Sequence, residues 1–448
     1  MLQPPLSYVY IAGILREEGH DVRFLDCNSY DLGFDAVDAA LRGFKPDVML
    51  FRSTPSTFFY DCRVAGIAKK HGANTVMLNW NLNAFSKQAL EKVPDLDVYV
   101  TAYSYENILP RLFGNGDLAD LPGVTYREDG ETIVNPEGRK TKVGDIPPPP
   151  WGILPDHSVF YTRVKSISPW AVCRASKGCG YVCQVCSDSF IPWDPRRPKL
   201  VGLELEELVE GHGAKYLSFF DNTFTLNSGW VKEVCSEIEG RDLDFKWFIN
   251  TRPELLNEDL IEAMKHAGLD GVSLGLETGS DETLRGINKG FTLEQGESAV
   301  KMLRKAGVKT YISMMMGLPG ETEEQMWMTY KHILKVKANG FQISIVAPYP
   351  HTPLYRDCLE KGLIDEGLEW DELCCVPRGL PGDLSLSQLG NSELLALRRK
   401  FYRKIYFHPR YLLPNMWWVA MHPADLRMAV DHFIENMRRL AKKVTFSH

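Results

Sequence analysis

Three cysteines stand in the run CGYVCQVC, Cys179 to Cys186, separated by three residues and then by two. Thiolates are soft metal ligands and redox-active groups, so such clustering favours metal or redox chemistry over packing. A structural zinc site takes four protein ligands, usually as two well-separated pairs. Here one compact loop supplies three, and no second CxxC or HxxxH pattern follows. Cys173 is a fourth candidate, but it lies inside the strand-like run WAVCRA. A cubane iron–sulfur cluster has four iron corners and is normally held by four thiolates. Three thiolates leave one iron open, the condition a catalytic metal site keeps for its substrate. Zinc and a redox trio remain as alternatives to a three-thiolate cluster.

A second set of polar residues and glycines follows strand-like runs further along. YLSFF ends in Asp221-Asn222, FKWFIN in Thr251-Arg252, GVSLGL in Glu277, YISMMM in Gly317-Leu318-Pro319-Gly320-Glu321, and FQISIV in Ala347 to His351. Such residues end strands routinely. If the strands form one parallel barrel, however, their carboxyl ends converge on one mouth. Thr322 and Gln325 form a capping-box pattern opening the next helix. Gly317 and Gly320 serve as turn residues or let backbone approach a ligand.

The elements that must position these residues read as an α/β chain. From about residue 166, six strand-like runs alternate with helical patterns such as NEDLIEAMKHAG and LEQGESAVKMLRKAG, which predicts a TIM-like partial (β/α)6 barrel. Ahead of it, LSYVYIAGILREEGH, FDAVDAALRGF and DCRVAGIAKKHG read as helices. DVRFLD, DVMLF, TVMLN and DVYVTA read as strands, so the amino-terminal region is expected to be doubly wound and flavodoxin-like. Such a domain normally opens with a strand, and here the first helix follows Met1 almost directly, so the expectation is either a truncated start or a sheet missing its first, usually central, strand. PGVTYREDGETIVNP predicts a hairpin turning at Asp129-Gly130, and IPPPPWG a stiff extended stretch. The expected division is a domain over 1–125, a hairpin and proline-rich linker over 126–165, the barrel over 166–360, and a helical carboxyl-terminal region over 361–448. In that last region Trp417 and Trp418 are expected as packing anchors, with contact to a membrane surface as the alternative.

Composition narrows the classes. The chain has 448 residues, 44% apolar and 24% charged, enough for a sizeable core. Its formal net charge is −7, from 51 basic and 58 acidic residues, which gives nucleic-acid binding no electrostatic support. No apolar run reaches the roughly 18 residues of a membrane span, and the amino terminus lacks a signal-peptide pattern, so a cytoplasmic protein is expected. Ten cysteines are too few for a disulfide scaffold at this length. Those outside the cluster are expected as small buried apolar residues, with Cys374-Cys375 the exception.

Taken together, CxxxCxxC after the first strand, FDNTF after the second, GLETGSDETLRGINKG after the fourth and MMMGLPGETEEQ after the fifth resemble the radical S-adenosylmethionine (SAM) superfamily, over roughly residues 166–360. The resemblance implies a [4Fe-4S] cluster held by Cys179, Cys183 and Cys186, with SAM on the open iron. It implies reductive cleavage of SAM to a 5′-deoxyadenosyl radical, with electrons from an external reductant such as flavodoxin or ferredoxin. Asp221 and Asn222 stand where the family contacts the SAM amino group. Arg252 and Glu277 match residues that contact the methionine or ribose portions, and Gly317, Pro319 and Gly320 match the segment near the adenosine. The family usually carries an aromatic residue before the third cysteine, and here Val185 stands there.

The domain order, LREEGHDVRFLD and PYPHTPLY resemble the cobalamin-binding-domain subgroup of that family. This implies cobalamin as a further cofactor and methyl transfer to an unactivated carbon or phosphorus centre of a small or lipid-like substrate. The loop FRSTPST, with Ser53, Thr54 and Ser56, matches the subgroup's third-strand loop. Two departures stand against this. Asn79-Trp80-Asn81 replaces a glycine pair, and Ala102-Tyr103-Ser104-Tyr105-Glu106-Asn107 replaces a Gly-Glu-Gly-Glu stretch, adding bulk where a macrocycle would approach backbone. The alternatives are a cobalamin-free radical coupling, cyclisation or rearrangement, and a non-catalytic iron–sulfur electron carrier.

Overall fold

The computed structural model describes residues 5–27, 30–54, 57–79, 85–114, 116–137, 143–154, 167–350, 352–365 and 385–421. Ser56, Trp80, Asn81, His351, Cys374-Cys375 and the helical pattern after residue 421 lie outside them.

The amino-terminal region runs α1 (Leu6–Glu17), α2 (Phe34–Phe44), β1 (Val48–Arg52), α3 (Phe58–Asp61), α4 (Arg63–Lys70), β2 (Asn74–Leu78), α5 (Ser86–Lys92), β3 (Val98–Val100), α6 (Tyr105–Phe113), β4 (Val124–Glu128) and β5 (Glu131–Val134). Side chains alternate across a strand, and β2 shows the result. Val76 and Leu78 pack with Ile11 and Leu15 of α1 and Ile108 and Leu109 of α6. Met77 turns the other way, toward Phe58, Ala65, Ala89 and Leu90. Helices therefore cover both faces, the layering expected.

Three particulars differ from the sequence reading. The strand order is β1-β2-β3-β4-β5, so the described strands run in sequence with no reversal. The hairpin is not mere connection. β4 pairs antiparallel with β3, Val98 opposite Tyr126, and makes the sheet mixed. Its turn does fall at Asp129 and Gly130, both with positive φ. Finally, DVRFLD forms no strand. Its alternating Val22 and Phe24 are satisfied by packing, Val22 against the α1–α6 cluster and Phe24 against the Tyr8 ring at 5.6 Å. The edge of β1 beside it is met by a side chain, because the Arg52 N–H donates to Tyr8 Oη at 2.6 Å.

The second sheet is all parallel, in the order β6-β9-β10-β11-β12-β13. Its strands are β6 (Trp170–Cys173), β9 (Tyr216–Phe219), β10 (Lys246–Thr251), β11 (Leu269–Glu277), β12 (Lys309–Met316) and β13 (Gly340–Ile345). A short ladder, β7 (Ser176–Lys177) with β8 (Asp194–Pro195), braces the cysteine loop. The helices between are α7 (Pro198–Glu206), α8 (Ser228–Gly240), α9 (Glu258–His266), α10 (Asp281–Gly286), α11 (Leu293–Lys305) and α12 (Glu323–Val336). Asn227, Asn257, Ser280, Thr292 and Thr322 cap five of them, and Thr322 with Gln325 forms the expected capping box. Alternate residues of β10 and β12 are fully buried under these helices, while the opposite face is only half covered. A barrel left open in this way has an accessible interior.

Beyond lie α13 (Pro353–Glu360), α14 (Asn391–Tyr406) and α15 (Pro409–Met421). On α14, Phe401 packs edge-on against Trp327 and tilted against Tyr330, and Tyr402 Oη accepts the Ile343 N–H at 2.8 Å. A helix thus covers the exposed edge of β13. Trp417 is not the anchor expected of it. It is 71% exposed, and Tyr411, 5% exposed, fastens α15 through its hydroxyl to the Ile333 carbonyl.

Candidate functional site

The cysteine loop leaves β6 and is fixed by backbone bonds on three sides. Cys179 N and Gly180 N both donate to the Ile191 carbonyl, at 3.2 and 2.9 Å. Gln184 N donates to Ile287 O at 3.0 Å and Gln184 O accepts from Leu354 N at 2.9 Å. Gly178 has φ +77° and packs so closely that a Cβ would lie 2.0 Å from the Pro192 carbonyl oxygen. Only glycine fits there.

Each thiol has its own surroundings. Cys179 Sγ lies 3.0 Å from Thr223 Oγ1, Cys183 Sγ lies 3.4 Å from Arg252 Nη1, and Cys186 Sγ accepts the Asp188 N–H at 3.4 Å. Among the described residues no three His, Cys, Asp or Glu side chains close around one ion position. The three thiols share one loop, and each has a partner of its own.

Arg252 ties the loop to the ends of β10 and β11. Its guanidinium stacks 3.7 Å from the Tyr181 ring, pairs with Glu254 at 2.5 Å and donates to the Lys289 carbonyl. Lys289 Nζ pairs with Glu277 at 2.6 Å. Burial alone would lower the Lys289 pKa, but Glu277 and Cys183 outweigh it and the net shift is upward. Glu277 sits at φ +65° on a β-bulge, with its Oε2 buried and unpaired. An unpaired buried carboxylate oxygen beside an open mouth is available to a ligand donor.

Asp221 is buried inward of the mouth, where it accepts from Ala175 N at 3.1 Å and from Ser176 Oγ. Burial raises its pKa to about 6. It braces the start of the cysteine loop. Asn222 faces outward and donates to Asp188 Oδ2 at 2.6 Å. In GLPGE, Gly317 and Gly320 both have positive φ, and the N–H groups of Gly317 and Leu318 donate to Glu321 Oε2 at 2.8 and 3.1 Å. Burial raises the Glu321 pKa to about 7. Pro319 completes this turn, which Gly320 N ties to Leu386 O at 2.9 Å.

Val185 packs against an apolar cluster that joins Phe51, Phe58, Met77, Phe85 and Tyr99 of the amino-terminal region to Ile287, Leu318 and Val346. Ser53 and Thr54 follow β1, and Ser53 Oγ donates to the Thr54 carbonyl at 3.1 Å. Thr54 Oγ1 is 2.8 Å from Thr57 Oγ1, which donates to Asp61. The structure therefore joins the cysteines with Arg252 directly, with Asn222 through Asp188, and with Glu277 through Lys289 and Arg252.

The sequence reading missed the clamp beneath the loop. Glu106 is buried and pairs with Arg174 and Lys177, each at 2.6 Å. Lys177 Nζ lies 4.1 Å from the Tyr105 ring and 4.8 Å from the Tyr103 ring. Burial lowers the Lys177 pKa despite Glu106. Alongside, Arg196, Glu204 and Tyr10 form a second buried group, with Tyr10 Oη 2.7 Å from Glu204. The only hint was the Tyr-x-Tyr-Glu stretch standing where glycines were expected. A cleft of about 300 Å³ between α1 and Pro147 to Pro150 shares no residue with the cysteine loop.

With this geometry in view, residues 174–333 match the radical SAM superfamily. The chain therefore carries a radical SAM domain over those residues. It is similar to an uncharacterized methyltransferase of Pyrococcus horikoshii, 28% identical over 92% of this chain and 90% of that protein. It is also similar to the anaerobic magnesium-protoporphyrin IX monomethyl ester cyclase of Rubrivivax gelatinosus, 28% identical over 80% of this chain and 67% of that one. Its fold is shared with the radical SAM methyltransferase TsrM of Kitasatospora setae, solved with tryptophan and a SAM analogue (TM-score 0.67, 19% identity, 80% of this chain and 74% of that one). The cobalamin-dependent radical SAM enzyme OxsB has the same fold (TM-score 0.65, 17% identity), and the match takes in 80% of this chain and 53% of OxsB. This radical SAM protein is an enzyme.

Proposed function

We propose that this radical SAM enzyme cleaves SAM reductively at a [4Fe-4S] cluster on Cys179, Cys183 and Cys186 and uses cobalamin to methylate an unactivated carbon or phosphorus centre. The observation that carries the proposal is three thiols on one braced loop with Arg252 Nη1 3.4 Å from Cys183 Sγ. A reduced cluster supplies the electron for cleaving SAM, and cobalamin carries a methyl group from SAM to substrate.

The chain's own residues bind and orient. Asn222 is placed for the SAM amino group, Arg252 for its carboxylate, Glu277 Oε2 for a ribose hydroxyl, and the Gly317–Gly320 turn for the adenosine. Asp221 holds the loop from behind. Val185 offers an apolar contact smaller than an aromatic ring. The half-covered inner face of β10 to β13 admits a small or lipid-like substrate.

Residues for cobalamin are present in part. Ser53 and Thr54 follow β1 beside Phe51, which belongs to an apolar cluster, and Ser56 continues the same run of hydroxyls in the sequence. At the loop after β3, Tyr103 and Tyr105 instead enclose Lys177. That enclosure favours a second reading, a cobalamin-free cyclisation or rearrangement.

Anaerobic reconstitution with SAM and dithionite tests the first claim through 5′-deoxyadenosine. Its absence, with Cys183→Ala indistinguishable from wild type, ends the radical reading. A corrin absorption band in protein produced with cobalamin tests the second, and its lack moves methyl transfer below cyclisation. A flavodoxin or ferredoxin supplies electrons, and the protein is cytoplasmic. Among the described residues no helix is long and apolar enough to cross a membrane. Residues 394–424 carry six Lys or Arg and no Asp or Glu, beside exposed Leu413, Met416 and Trp417. Peripheral contact with anionic lipid follows from that pairing. Failure to co-sediment with anionic liposomes disposes of it.

A further inference from the structure

The amino-terminal region reaches the cysteine loop by a route that no cluster ligand supplies. Tyr103 stands just after β3 and before α6. Its Oη lies 3.4 Å from Asn222 Nδ2, and Asn222 donates to Asp188 Oδ2 at 2.6 Å. Asp188 in turn gives its backbone N–H to Cys186 Sγ at 3.4 Å. The same Tyr103 accepts from Lys177 Nζ through its carbonyl, two residues before Cys179. One residue of the loop after β3 therefore touches the chain just ahead of the cysteine loop and, through Asn222 and Asp188, reaches its far end.

We propose that Tyr103 is a positioning residue for the cluster: its phenol orients Asn222 and Asp188 so that the Asp188 N–H stays on the Cys186 sulfur. The inference rests on the proposed function, since it takes Cys186 as a ligand. Hydrogen bonds to cluster sulfurs stabilise the more negative, reduced state and so help set the potential. An Asn held by two partners keeps one orientation, whereas an Asn with one partner turns toward water. The turn from Cys183 to Ser189 is closed by two backbone bonds of 3.3 Å and by Ser189 Oγ on the Cys183 carbonyl, and none of these bonds holds the Asp188 carboxylate. A phenol serves this role where glycine cannot. The chain therefore uses the bulk at position 103 to couple the two sheets.

The test is a potentiometric titration, followed by electron paramagnetic resonance, of the reconstituted full chain and of Tyr103→Phe. The variant is expected to bind the same iron and to lose about tenfold in its one-electron reduction constant, a fall of about 59 mV. Asn222→Ala breaks the relay one step on and is expected to shift the potential the same way. Tyr105→Phe loses a bond to Arg174 but leaves the relay intact. It is expected to match wild type. Equal potentials in wild type and Tyr103→Phe, with iron bound in both, overturn the inference. An equal shift in Tyr105→Phe also overturns it, because general docking then explains the effect. If wild type assembles no cluster, the proposed function falls and takes the inference with it.

Discussion

The parallel strands of both sheets end in loops at their carboxyl ends, yet the two sets of loops are used in opposite ways. At the second sheet the loops leave chemistry exposed. Cys179 and Cys186 are half-buried, Asn222 faces solvent, and Glu277 keeps a carboxylate oxygen unpaired. At the first sheet the loops are consumed in holding the protein together. Thr54, Thr57 and Asp61 bond one another, and Tyr103, Tyr105 and Glu106 grip Lys177 and Arg174. A carboxyl-end loop is thus a location where a site can form, and what its side chains already hold decides whether one does. The difference is also energetic. A buried ion pair stabilises only while both partners remain, because removing one strands a desolvated charge.

Four variants put this contrast at risk. Cys183→Ala should have the largest effect, taking iron content and SAM cleavage to background, since removing one of three protein ligands leaves a second iron without protein support. Retention of bound iron would break the assignment of the second sheet as the site. Glu106→Gln should cost about 3–5 kcal/mol in denaturant unfolding, because Lys177 and Arg174 would share a neutral partner in the interior. A loss no greater than that of a surface change would mean that the first sheet's loops are not structural.

Glu321→Gln should alter pH dependence. The folded-state pKa of Glu321 is raised to about 7, so its contribution is present at acid pH and is lost as pH rises from about 4.5 through 7. A shift of that size corresponds to about 3 kcal/mol. Glutamine can still accept from Gly317 N and Leu318 N, so the variant should unfold with a flatter pH profile over that range. An unchanged slope would remove Glu321 as the cause. The smallest effect belongs to Ser53→Ala combined with Thr54→Ala. Exposed hydroxyls bonded locally should change stability by less than about 0.5 kcal/mol. If the pair also leaves the corrin band unaltered in cobalamin-supplied protein, the first sheet carries no cofactor contact at that loop.

Much of the architecture was legible because local pattern decided it. The six strands of the open barrel, the Asp129-Gly130 turn and the Thr322–Gln325 capping box were read from period-two runs, turn residues and spacing over a few positions. DVRFLD failed for a physical reason. Alternation reports which side chains will be buried, and Val22 and Phe24 are covered, but a strand also needs a ladder partner. Trp417 failed similarly, because an apolar residue on a helix is an anchor only if the fold turns that face inward. Tyr411, on the same helix, is the one turned in.

By itself the sequence determined the spacing of Cys179, Cys183 and Cys186, the glycines that let their loop bend, and the strand ends that carry Asp221, Arg252 and Glu277. These are short-range properties, written in neighbouring residues. Only the tertiary structure decided that Asp221 turns inward as a brace, that Lys289 stands between Arg252 and Glu277, and that Tyr103 and Glu106 reach across to the cysteine loop. Glu106 and Lys177 are 71 positions apart in the chain. No local spacing encodes such a pair, because what brings it together is the docking of one buried surface on another.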